Sequence, residues 1–285
     1  MATHDFDDDR VILPTSVHLA ALGDWSTLPE FKTSFQLHLE PVSSAWREDL
    51  IQQGWDRDVF SKPQLKLLRA QPSVIFAELS FLPHLGTTEG TFPSAQLRWA
   101  RAAAQLFKHL SSQGAQALYF DGSMKVFTPE IIREVNPKDY ATLFHLFVEI
   151  WGDRTRVATE GMSIFGLPEI VVTGFEPQSA EAQATAFSAA AQMVCDGLRL
   201  PDGKYFRASE SFPWCAAQWV SDQTRASELL DALDASDESS DDASDDRDQQ
   251  YLMPSCGVCH LTPVDHKLDT ELSSAWLDAL DREES

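Results

Sequence analysis

The chain has 285 residues, 43% of them hydrophobic and 10% aromatic, with a formal net charge of -22 and a pI near 4.6. That composition supports a sizeable packed core in one large or two ordinary domains, while the charge argues against a protein that grips nucleic acid or an anionic membrane through Lys and Arg. The acidic start "MATHDFDDDR" lacks the basic-then-apolar layout of a secretory signal, and no run approaches ~18 apolar residues, so a cytoplasmic protein with reduced cysteines is expected.

Residues 1–10 read as a disordered acidic start. "VILPTSVHLAAL" (Val11 to Leu22) and "SFQLHLEPV" (Ser34 to Val42) alternate partly and carry β-branched residues, which predicts strands, with His38 half exposed. "AWREDLIQQGW" (Ala45 to Trp55) and "PQLKLLRAQ" (Pro63 to Gln71) predict helices, the second opened by its Pro. "SVIFAELSFL" from Ser73 is a strand by alternation. A long helix over 94–112 follows, with Leu97, Ala100, Ala104, Phe107 and Leu110 at helical spacing and Gly114 as its stop. "AQALYF" and "MKVF" read as strands around the turn "DGS", and "TPEIIREV" as a helix capped by Thr128. The apolar run "LFHLFVEIWG" (Leu143 to Gly152) is expected to be a central strand, with His145 as a satisfied core histidine. A turn ending at Gly166 and Pro168 leads into the strand "EIVVTGF". A second main helix over 179–196 carries Phe187, Ala191, Val194 and Cys195 on one stripe, and a hairpin is expected across Pro201-Asp202-Gly203.

The composition then breaks. Ser227 to Gln250 holds ten acidic residues against one arginine, the signature of a disordered acidic linker. Composition therefore divides the chain into residues 1–10, a domain over 11–222, a linker over 223–250 and a short tail over 251–285 with a terminal helix. The acidic sequence "LDALD" occurs at Leu230 to Asp234 and again at Leu277 to Asp281, a short echo more readily ascribed to coincidence than to a repeat.

The tail holds Cys256, Cys259 and His260 in the Cys-x-x-Cys-His pattern of c-type haem attachment. A haem needs a wrapping fold, a second axial ligand and export, and none is read here, so no haem is expected. The Cys256/Cys259 spacing is also half of a zinc site, with His260 as a third ligand, but a closed site wants about four. The tail could alternatively carry a redox dithiol. No cofactor is assigned on this reading.

Nucleophilic catalysis has no anchor, because the chain contains no Gly-x-Ser-x-Gly, no phosphate-binding loop and no Gly-x-Gly-x-x-Gly. The most distinctive segment is "ATEGMSIFGLPEIVV", where Gly161 and Gly166 point to positive φ or close packing. Its candidate binding residues are Thr159, Glu160, Gly161, Gly166 and Glu169.

This segment resembles a motif of the uncharacterised bacterial family called domain of unknown function 4261, in which Thr-Glu-Gly-Met or Thr-Glu-Gly-Leu precedes Phe-Gly-Leu-Pro-Glu. The order of elements from Ser73 to Ser209 is similar as well. The resemblance implies an α+β domain and a place among immunity-type proteins of bacterial toxin systems; it transfers no catalytic residue. The expected architecture is thus α+β, with a mixed or mostly antiparallel sheet covered by the helices at 94–112 and 179–196. The leading expectation for function is a non-enzymatic protein acting through an acidic surface on a basic protein partner. The alternatives are an enzyme or ligand-binding domain with a pocket near Glu160, and a metal or redox role for the tail.

Overall fold

The computed structural model describes residues 15–30, 32–33, 35–81, 97–176, 179–196, 200, 203–220, 258–265 and 267–273. The fold is α+β and contains two sheets. The first is built from β1 (Thr15–Gly23), β2 (Gln36–Pro41), β3 (Ser73–Phe81), β4 (Ala117–Phe120) and β5 (Lys125–Phe127), in the order β2-β3-β1-β4-β5. All its pairings are antiparallel. The second holds β6 (Glu149–Gly152), β7 (Val157–Glu160), β8 (Glu169–Val172), β9 (Tyr205–Phe206), β10 (Cys215–Val220) and β11 (Val258–Pro263), in the order β6-β7-β8-β11-β10-β9. Its single parallel pairing is β8 with β11. A mixed or mostly antiparallel sheet was expected; the strands are mostly antiparallel and divide into two sheets, β5 ending one ladder and β6 beginning the other.

Strand alternation gives the first sheet two apolar faces. Ala117 and Val126, with Leu22, pack against α1 (Ser44–Asp56) and α2 (Lys62–Arg69), where Leu50, Ile51, Leu65 and Leu68 are buried. The opposite face carries Val17, Leu19, Ile75, Ala77, Leu118 and Phe120 into the main core. There it meets α3 (Leu97–Ser112), whose Ala100, Ala104, Phe107 and Leu110 are buried at the spacing the sequence predicts. The helix α4 (Pro129–Glu134) starts under its Thr128 cap, which accepts from the Ile131 amide.

The run from Leu143 is not one strand. Asp139 caps the helix α5 (Tyr140–Phe147), its carboxylate accepting from the amides of Ala141 and Thr142, and β6 begins only at Glu149. Leu143, Phe144, Leu146 and Phe147 are buried, a one-sided helical spacing that an apolar run read from Leu143 hides. His145 therefore points outward and is exposed, not a core histidine. It lies 6.0 Å from the ring of Phe187 on α6 (Ala180–Ala191). On α6 and the π-turn that extends it, Ala182, Ala186, Ala189, Ala190, Met193 and Val194 form the buried stripe, and Phe187 is 42% exposed. The stripe is thus rotated from the one read in the sequence, because small alanines can approach the second sheet closely and a phenylalanine cannot.

The hairpin expected across Pro201-Asp202-Gly203 falls largely outside the described residues. β9 pairs with β10, so the chain turns through 207–214; Pro201 and Asp202 lie outside the described residues. The expected disordered stretches at 1–10 and 223–250 also lie outside them. The tail supplies a central strand: β11 sits between β8 and β10, with Cys259 and Leu261 fully buried, and a helix α7 follows over 267–273. The compositional boundary after 222 therefore does not separate 258–263 from the second sheet. Among the described residues, no helix is long and apolar enough to cross a membrane.

Candidate functional site

Gly161 and Gly166 flank a short 3-10 turn over Met162–Phe165, with φ of 99° and 67°. Both glycines are thus in the left-handed region. A Cβ on Gly161 would lie 2.0 Å from the carbonyl oxygen of Phe147. Met162, Ile164 and Phe165 plug the core. The turn is held from β8: the Glu169 carboxylate accepts from the amides of Gly161 (3.0 Å) and Met162 (2.9 Å) and from the hydroxyl of Thr159 (2.8 Å). Thr159 in turn accepts from the Ile170 amide at 2.8 Å. Thr159, Gly161 and Glu169 are therefore one bonded unit. Gly166 closes the turn with its amide on the Ser163 carbonyl, 2.8 Å away, and does not join that unit.

Glu160 lies beside this unit. In the β6–β7 register it stands directly opposite Glu149, and the Glu169 side chain bonds Thr159 and Gly161 on either side of it. Glu149, Glu160 and, through its bonds to Thr159 and Gly161, Glu169 thus make a short acidic row, in which the like charges of Glu149 and Glu160 oppose one another. The cations are gathered at one end. Lys125 of β5 meets Glu149 at 3.1 Å and Arg57, just past α1, meets it at 3.8 Å. Lys125 also donates to the carbonyls of His145 (3.0 Å) and Val148 (2.7 Å), so it caps α5 at the helix end that favours a cation. Among the described residues no cation lies within ion-pair distance of Glu160.

These positions set the ionisation. Burial pushes the Glu160 carboxyl up; nearby Arg57 opposes this, Glu149 adds to it and the Trp151 indole opposes it. The carboxyl of Glu169 is enclosed although the residue is partly exposed, and burial pushes it up to about 8. Thr159 and the two amides oppose that shift, and Glu160 adds to it. Burial lowers Lys125, against the pull of Glu149. Burial first, then Asp121, raises Tyr119, whose hydroxyl donates to Asp121 at 3.2 Å.

Arg57, Lys125, Glu149 and Trp151 were not among the residues singled out from sequence. A signal for two of them exists in "EIWGDRTRVATE": Glu149 and Trp151 mirror Glu160 and Ala158 across a tight turn. There Asp153 accepts from the amides of Thr155 (2.7 Å) and Arg156 (2.9 Å), the Asx geometry that closes such a hairpin. Arg57 and Lys125 come from the other sheet layer and leave no local trace.

The tail residues are not assembled as a metal site. Cys256 lies outside the described residues. Cys259 is buried on the core side of β11, whereas His260 faces the other way with Nε2 2.7 Å from the Thr173 hydroxyl. Successive strand residues point to opposite faces, so Cys259 and His260 do not converge on one ion. Among the described residues no three His, Cys, Asp or Glu side chains are grouped to hold a metal. Burial lowers His260, which favours its neutral form. At the far end of β7 and β8, a cavity of about 10 Å³ lined by Arg156, Thr173 and Glu176 has room for one water and not for a substrate.

Comparison with protein-family models, with curated proteins and with solved structures finds no match to this chain.

Proposed function

We propose that this is a cytoplasmic, non-enzymatic binding protein of the immunity type, which engages a basic protein partner through the surface around Glu149 and Glu160. The observation that carries this reading is the unequal charge pairing in the row: both nearby cations sit on Glu149, and Glu160 is left with no ion-pair partner among the described residues. A guanidinium or ammonium from a partner would supply the missing charge. Two exposed apolar side chains flank the cations in sequence, Trp55 at 47% exposure before Arg57 and Met124 at 42% before Lys125. Aromatic and Met anchors beside charged groups are common features of protein interfaces. The resemblance of "TEGMSIFGLPE" to the immunity-grouped family points the same way.

The test is a pull-down from the native host at low and at high salt with wild type and Glu160→Lys. A basic partner recovered at low salt, weakened at high salt and lost with Glu160→Lys is the expected result. Recovery of no basic partner at low salt refutes the reading, and undiminished recovery with Glu160→Lys moves the contact elsewhere. The second reading, a ligand or catalytic pocket near Glu160, draws on the raised Glu169 carboxyl, since shifted groups gather at functional sites.

A further inference from the structure

The first sheet ends on two unlike strands. At one end β5 is three residues long, and its Lys125 is tied to Glu149 and to the carbonyls at the end of α5. At the other end β2 spans six residues and pairs with β3 alone. The edges of the second sheet are also shorter, with four residues in β6 and two in β9. The ladder between β2 and β3 continues into a bond from the Val42 amide to the Pro72 carbonyl at 3.1 Å. In an antiparallel pair such bonds fall on every second residue. Gln36, His38 and Glu40 therefore bond β3, and the N–H and C=O of Leu37 and Leu39 point away from the sheet. Among the described residues those groups have no hydrogen-bond partner. Sheet edges are commonly blunted by lysines, bulges or proline. The register of β2 runs unbroken from Gln36 to Pro41, the strand holds no lysine or arginine, and its proline comes last. The helix α1 leaves the end of β2 and crosses inward, where Trp46 meets Phe76 of β3 at 5.6 Å and Tyr119 of β4 at 6.2 Å. Gln36, His38 and Glu40 stay exposed on that face, while Leu37 and Leu39 lie on the other, partly buried against the main core.

We propose that β2 pairs antiparallel with β2 of a second copy of this chain, joining two five-stranded sheets across a two-fold axis. The strand is complementary to itself. With the axis at Leu39, each Leu39 lies beside the other and each Leu37 beside Pro41 of the second copy, which prolongs the apolar face over the main core. On the opposite face each His38 stands beside Glu40 of the second copy, and an imidazole N–H donates to a carboxylate in either charge state of the ring. In the same register the outward N–H of Leu39 donates to the Leu39 carbonyl of the second copy, and that of Leu37 to its Pro41 carbonyl. The missing N–H of Pro41 removes no donor that this pattern uses from Leu37 or Leu39. This edge is the far side of the first sheet from Lys125, so the pairing neither requires nor excludes the basic partner proposed above.

The experiment is sedimentation velocity of the full chain from about 1 to about 300 µM, with hydrogen exchange read at the Leu37 and Leu39 amides over the same range. Salt at about 0.15 M screens the repulsion between two acidic chains to within about 8 Å. Wild type should move from 31.8 kDa towards twice that mass as concentration rises, and both amides should gain protection in step. His38→Glu changes an exposed side chain and sets like charges opposite each other, so it should weaken pairing about tenfold. Adding Glu40→Lys to that variant restores opposite charges and should recover the pairing. A mass of 31.8 kDa at every concentration overturns the proposal. So does a dimer whose Leu37 and Leu39 amides exchange as fast as in the monomer, one that His38→Glu leaves undiminished, or a double variant that pairs no better than His38→Glu.

Discussion

Two regions join the sheets, and they do so by opposite physics. In the first, Phe107 of α3, Phe127 of β5, Phe120 of β4, Phe147 of α5 and Phe165 of the turn form a continuous aromatic chain. Centroid distances run from 5.0 Å (Phe120 to Phe147) to 6.5 Å (Phe147 to Phe165). In the second, a few residues away along the chain, Glu149 meets Arg57 and Lys125, with Glu160 opposite it on the next strand. The aromatic joint gains from every contact, because apolar area leaves water without a polar cost. The carboxyl joint is a balance of desolvation against partners, and it is short of partners. Stability should therefore reside mainly in the first region and pH response in the second.

Phe147→Ala tests this contrast most strongly. Phe147 is fully buried at the centre of the aromatic chain, so its truncation should cost about 3–5 kcal/mol. The loss, read from urea midpoints, should be the same at acid and alkaline pH; a strongly pH-dependent loss would mean that the two joints are coupled. Gly161→Ala strikes both regions at once, forcing a Cβ into the Phe147 carbonyl at positive φ. It should cost on the order of 3 kcal/mol by the same measurement, and a tolerated alanine would show that the turn can move. Lys125→Met keeps the apolar stem but strips the cap from α5 and the partner from Glu149. At 16% exposure its cost should be about 1–3 kcal/mol, accompanied by a steeper fall in stability at alkaline pH. The surface pair Glu130–Arg133, 3.3 Å apart and about 60% exposed, is the baseline: Arg133→Ala should change stability by no more than about 0.5 kcal/mol. A larger effect there would mean that surface charge, and not the enclosed row, dominates the electrostatics of this acidic chain.

The candidate segment was visible in the sequence for a physical reason. Glycines at 161 and 166 mark a backbone that only they adopt easily, and the threonine and glutamate that stabilise it lie within ten residues of one another. The electrostatic character of the site was not visible. It depends on Glu149 arriving through a hairpin, Lys125 through the other sheet and Arg57 from a helix end roughly a hundred residues earlier in the chain.

The same division runs through the fold. Sequence alone determined what a single turn encodes: the Thr128 cap, the buried spacing of α3, the glycine corners and the alternation of β3. These follow from hydrogen bonds and side-chain periods a few residues long. Tertiary structure decided whether the run from Leu143 is helix or strand, which stripe of α6 turns inward, that there are two sheets, and that residues after the acidic tract form an inner strand. β8 and β11 pair Glu169 with Val258 across nearly ninety residues of chain. Such a pairing depends on burying Cys259 and Leu261 against partners that local sequence does not contain.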